Sequence, residues 1–279
     1  MNKEIFNKSI NKAFNGGLAG FGAMTTQVLS LMWLRTTMNY QYRYGSTTLT
    51  ALKTLYKDGG IPRFYKGLLP ALVQGPLSRF GDTAANSGIM YYLNENPNTK
   101  DLNIGTKTLF CSGSAALWRI LIMPIDSLKT NMQVNGTKGI QILKNNIKTN
   151  NVFVLYNGAM AASSATFVGH FPWFFTYNYL DNKLPTYSND SILKFARNGF
   201  IGFSASIVSD TCSNSLRAIK TTKQTYDNNI SYAKAVDLIV KKDGIKGLFF
   251  RGLQTRIIAN GLQSSLFTIT WKYFENKLK

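Results

Sequence analysis

The chain repeats itself three times, and that repetition constrains its architecture more tightly than any single motif. The segments SLMWLRTTMN (30–39), PIDSLKTNMQ (124–133) and CSNSLRAIKT (212–221) each carry a basic residue five places after the first: Arg35, Lys129 and Arg217. After each come a polar loop and a short helical stretch, then DGGIPRFYKG (58–67), TNNVFVLYNG (149–158) or DGIKGLFFRG (243–252). The closing glycines, Gly67, Gly158 and Gly252, recur at a spacing of about 90 residues, and a fixed period means one structural unit copied along the chain.

Charge avoids particular windows of each copy. Residues 13–34 and 152–180 carry no formal charge if His170 is neutral; 67–94 hold only Arg79 and Asp82, 108–125 only Arg119, 198–216 only Asp210, and 257–271 none. Stretches near 20 residues suffice to cross a bilayer core, so the pattern predicts six spans, two per copy. A mean hydropathy of −0.09 is low for a membrane protein, and a large soluble helical bundle is the competing reading. Helices with one lipid-facing and one wet face satisfy both observations. Pro124, set inside the third span, predicts a kink costing roughly 3 kcal/mol.

Only 16% of residues are charged, yet 32 Lys and Arg face 13 Asp and Glu, a net charge of +19. That balance attracts nucleic acid, anionic lipid or anionic solutes alike. A nucleic-acid binder would cluster its bases with exposed aromatics on one face; here they lie in loops and at helix ends. One histidine and no paired carboxylates, nucleophile motif or phosphate-cradling loop argue against an enzyme. No metal site and no cofactor is expected. Cys111 and Cys212 lack zinc or disulfide spacing and read as small packing residues. The N-terminus shows no apolar signal core and no Arg-rich transit character, so no cleaved presequence is expected.

The pattern Px(D/E)xx(K/R), followed 20 to 30 residues later by an acid-Gly pair and then aromatic-basic-Gly, resembles the signature of the mitochondrial carrier family from one end of the chain to the other. The resemblance implies an all-α membrane protein with six transmembrane helices in three pseudo-symmetric repeats, 1–100, 101–187 and 188–279, each with a short matrix-side helix. It implies transport of a small solute across the mitochondrial inner membrane by alternating access between a matrix gate and a cytoplasmic gate. A monomer, with anionic lipid at the matrix-side helix ends and no nucleic acid, is the expected working unit. The serious alternative is a carrier-fold protein in a regulatory or structural role, because its gates are incomplete.

That incompleteness is plain in the residues. Asp126 and Lys129, three apart on one helix face, form the one intact copy; the first repeat has Met32 and Arg35, the third Asn214 and Arg217. Three bases therefore face one acid, with Asn214 and Gln133 as polar supports. For the cytoplasmic gate the family register gives Ser87 and Met90, Asn178 and Asp181, Lys272 and Glu275, with Asp181 and Lys272 the expected partners. By the same register the solute contacts fall at Gln74, Thr166 and Asn260, and one turn further at Ser78, Arg79 and His170, then Asp82. Arg119 on the third span joins them, since ionisable groups inside spans are expensive and usually functional. The surplus of bases favours an anionic solute: a carboxylate, nucleotide or cofactor.

Overall fold

The computed structural model describes residues 3–187 and 192–263, the side chains of 3–6, 9, 12–24 and 83 excepted. Among them the secondary structure is entirely helical: α1 (Lys3–Tyr44), α2 (Thr48–Phe64), α3 (Leu68–Glu95), α4 (Ile104–Leu121), α5 (Met123–Asn135), α6 (Lys138–Asn150), a 3₁₀ turn (Val152–Tyr156), α7 (Ala159–Lys183), α8 (Ile192–Gln224) and α9 (Tyr232–Phe250). A final helix, α10, spans 253–263 to the end of the described residues. Side-chain caps start α2, α4 and α9. Thr47, Asn103 and Ser231 accept from the amides of Thr50, Thr106 and Lys234, each satisfying one orphan donor of a first turn.

The third span is not one kinked helix. The chain breaks at Ile122 and turns by 65° between α4 and α5. Pro124 therefore stands in the first turn of a new helix, where its missing amide would have had no partner anyway, so the expected cost of an interior proline does not arise. The first repeat marks the same place more weakly, with a distorted residue, Leu31, inside α1. In the third repeat α8 runs through as one helix, and Cys212, where the second repeat has its proline, is exposed. Cys212 is thus not the packing residue expected, whereas Cys111 is buried.

The long helices form a ring. α1 packs on α3, α3 on α4, α4 on α7, α7 on α8, and α8 back on α1. The repeat glycines set that order. Gly67, Gly158 and Gly252 each turn the chain into an even-numbered span through a left-handed backbone, with φ of 86°, 86° and 66°. Each also lies against the odd span of the next repeat. A Cβ would meet the Lys129 carbonyl at 3.0 Å from Gly67, the Lys220 carbonyl at 3.1 Å from Gly158, and the Tyr42 ring at 3.0 Å from Gly252. Only glycine allows both the φ and the approach.

Polar side chains share the interior with apolar ones while many large apolar side chains lie outside, a partial inversion of the soluble pattern among the described residues. Thr36, Ser78, Ser112, Ser127, Thr130, Asn131, Gln133 and Asn214 are buried, while Leu69, Ile104, Leu121 and Phe175 are exposed, Leu69 at 78%. A soluble bundle does not leave such aliphatic residues to water around a polar interior. The same inversion dilutes hydropathy: among the described residues one helical segment, Val152–Lys183, is long and apolar enough by composition to cross a membrane, and a second if α4 and α5 count as one broken span.

Candidate functional site

Among the described residues three interior ion clusters form, each around a carboxylate on a different helix. The first surrounds Arg119, one turn before the break at Ile122. Its guanidinium donates to Ser78 Oγ, to Asp82 Oδ2 at 3.1 Å and to Thr166 Oγ1 at 3.3 Å, joining α3, α4 and α7. Trp118 beside it closes the wall by donating from Nε1 to the Leu77 carbonyl at 2.9 Å, with its ring over Gly81. Four of the expected solute contacts, Ser78, Asp82, Arg119 and Thr166, are thus brought together.

The other four lie apart from that cluster. Arg79 is exposed on α3. Asp82 holds Arg119. His170 Nδ1 lies 2.8 Å from Ser112 Oγ, with its ring packed on Phe174, so it is a hydrogen-bonded wall residue between α7 and α4. Gln74 is buried and accepts from Lys129 at 2.9 Å, linking the solute level to the expected matrix gate. Asn260 donates to Asp210 Oδ2.

The second cluster lies where the matrix gate is expected. Asp126 pairs with Lys129 at 2.7 Å on its own helix and with Lys220 of α8 across the ring; Gln224 donates to it at 3.3 Å. The cross-repeat base is therefore Lys220, one turn after Arg217. Arg35 is half-buried on α1. Asn214 takes no part in the ion cluster. It accepts from the Tyr42 hydroxyl at 3.0 Å and donates to the carbonyls of Phe249 and Arg251, fastening α8 to α9 and α1. Gln133 braces α5 against α1, accepting from Asn39 at 2.5 Å and donating to Met32 Sδ at 3.4 Å.

The third cluster was not anticipated. Asp210 of α8, buried, meets Arg256 of α10 at 2.6 Å and Arg217 at 3.8 Å, as well as Asn260. The signal was a lone acid in an otherwise uncharged span, which in an apolar setting seldom lacks a partner.

Below the second cluster a cyclic set of caps ties each repeat to the next. Arg63 of the first donates to the end carbonyls of α5, Gln133 at 2.8 Å and Val134 at 2.7 Å, while Asp58 holds its Nε at 2.5 Å. Arg251 of the third reaches the Tyr42 carbonyl of α1 at 3.4 Å and is held by Asp243 at 2.6 Å. In the second, where Asn157 replaces the base, Asn131 and Asn135 of α5 cap Gln224 and Thr225 of α8 at 3.0 and 3.2 Å. Orphan carbonyls at helix C-termini are thus satisfied in all three copies.

A family model, described as mitochondrial carrier protein, matches residues 7–96, 100–188 and 191–279. The chain belongs to the mitochondrial carrier family. Its three matched segments cover nearly the whole carrier, and proteins of this family are multi-pass transporters of the inner mitochondrial membrane. No curated protein matches the carrier's sequence.

At the opposite end, where the cytoplasmic gate is expected, Asp181 of this carrier is engaged by Arg197 of α8, which donates to its carboxylate at 2.7 Å and to its carbonyl at 2.6 Å. Asn178 is exposed. Lys272 and Glu275 lie outside the described residues, as does most of the sixth span. Arg197, like Lys220, sits on the odd span that follows, a contact the local register could not reveal.

Proposed function

We propose that this carrier moves a small anionic metabolite, a carboxylate, nucleotide or cofactor, across the mitochondrial inner membrane by alternating access, as a monomer. The observation that supports an anion is the charge balance of the interior, where Arg35, Arg119, Lys129, Arg217, Lys220 and Arg256 face Asp82, Asp126 and Asp210. Surplus positive charge in a site of low dielectric is costly, and an entering anion offsets that cost. Arg119, with Ser78 and Thr166, is the central contact; Asp82 holds its guanidinium until solute arrives. Arg79, exposed on α3 next to Ser78, draws the anion inward, and Gln74, His170 and Asn260 line the route.

Alternating access requires closures that solute binding can trade against. Asp126 with Lys129 and Lys220 is the matrix-side closure, flanked by Arg35 and Arg217 and braced by Gln133 and Asn214. Because Gln74 bonds Lys129, a solute that displaces Gln74 also loosens the gate. Asn178, Asp181, Lys272 and Glu275 make the cytoplasmic closure. Anionic lipid is expected at the matrix-side helix ends.

The test is reconstitution of purified carrier into vesicles loaded with carboxylates, nucleotides, cofactors and amino acids. Uptake or exchange of at least one anion is expected. If none moves while an active carrier prepared in parallel works, the non-transporting role takes its place.

A further inference from the structure

Asp210 occupies the donor set that an incoming anion would need. Two guanidinium groups and one amide converge on its carboxylate: Arg256 at 2.6 Å and Arg217 at 3.8 Å as ion pairs, and Asn260, which donates to Oδ2. Asn260 stands at the register position where solute contact is expected, yet it is already spent on an oxyanion. Two guanidinium groups against one carboxylate leave the cluster one positive charge in excess, and Asp210 is buried on α8 between them. Ser213 Oγ fixes Arg217 Nε at 3.2 Å, so this cation is aimed by its own helix as well as by Asp210. The Arg119 cluster is built from the same kinds of group but with a single arginine: Arg119, the polar side chains Ser78 and Thr166 from the solute register and one carboxylate, Asp82.

We infer that Arg217, Arg256 and Asn260 form a second anion subsite, for a carboxylate or phosphate group of the solute, and that Asp210 is its built-in stand-in. This rests on the transport reading above for its purpose but not for its chemistry. While Asp210 occupies the donors, an external oxyanion must displace it, so apparent affinity is reduced by the fraction of time the donors are free. Neutralising Asp210 removes the competitor and leaves two arginines aimed at the vacancy.

The experiment is anion-dependent thermal stabilisation of purified full-length carrier in detergent, titrated with inorganic phosphate and separately with citrate, chloride holding ionic strength constant. In Asp210→Asn the half-saturating concentration of at least one of the two is expected to fall about tenfold or more relative to the parent. Adding Arg256→Gln to that variant is expected to abolish the gain. Unchanged or weaker stabilisation in Asp210→Asn overturns the inference, as does a gain that survives Arg256→Gln. Asp210→Ser and Asp210→Ala guard against one poorly folding variant; if none of the three gives a cooperative melt, Asp210 is structural and the inference falls. Melting requires no transport, so a carrier that gains anion affinity yet moves nothing in vesicles loses the transport reading and keeps this one.

Discussion

Lys220 of the third repeat, not Arg217, reaches Asp126 of the second, making Asp126 the shared counter-ion of two lysines on different spans. Removing that acid leaves two nearly buried ammonium groups unmatched, and an unmatched buried charge costs about 3–5 kcal/mol. Asp126→Asn should therefore lower the melting temperature more than Lys220→Gln, which leaves Lys129 still paired. Exchanging the charges, Asp126→Lys with Lys220→Asp, should recover part of the loss. Equal effects of the single variants, with no recovery, would contradict this pairing of Asp126 with Lys220.

Arg63 carries a cap that local spacing assigns elsewhere. Its guanidinium bridges the end of α5 to Asp58, whereas Lys66, beside the repeat glycine, is half-buried. Hydrogen bonds from a charged donor contribute about 1.5–3 kcal/mol each. Arg63→Ala is expected to cost about 3 kcal/mol or more, and Lys66→Ala clearly less, in thermal or denaturant melts. The reverse order would contradict the cyclic capping scheme.

The repeat glycines should be intolerant of even one methyl group. Gly67→Ala, Gly158→Ala and Gly252→Ala combine a left-handed backbone with contact against the next repeat, and a residue held in that region costs about 1–3 kcal/mol before any clash. Gly113, Gly199 and Gly202 sit in helices with open space where a Cβ would go. Alanine there should be neutral or stabilising by about 0.5–1 kcal/mol. Melts of the six variants should divide into these two groups of three.

The threefold architecture was legible because it rests on local requirements that each copy meets alone: a glycine turn, a polar cap, a charge-poor span. The Arg119 cluster was partly legible for a similar reason, since a base and an acid inside spans call for partners. What stayed hidden was which residues pair from one span to another. Lys220, Arg256, Arg197 and Arg63 act on residues 16 to 94 positions away or across a helix pair, at distances set by how the spans lean together. Pro124 misled in the other direction, because a proline inside an apolar run looks the same whether it bends one helix or begins the next.

Arg119 and Arg79 should separate in transport. Arg119 joins three spans at the expected solute level, while Arg79 is exposed on α3 next to Ser78, which Arg119 bonds. Both substitutions to Ala are expected to lower uptake of an anion, Arg119→Ala by about tenfold to a hundredfold, the loss of one to two charge-assisted contacts, and Arg79→Ala by less. Initial rates at several solute concentrations check the order.

The central claim is that the surplus of interior cations serves an anion, and its most direct measurement is uptake into vesicles containing the purified carrier, comparing labelled anions with cations of similar size, in the parent and in Arg119→Ala. The account predicts saturable uptake of at least one anion, none of the cations, and a large loss in the variant when equal amounts of folded carrier are compared. Uptake of cations alone, or anion uptake indifferent to Arg119, would contradict it.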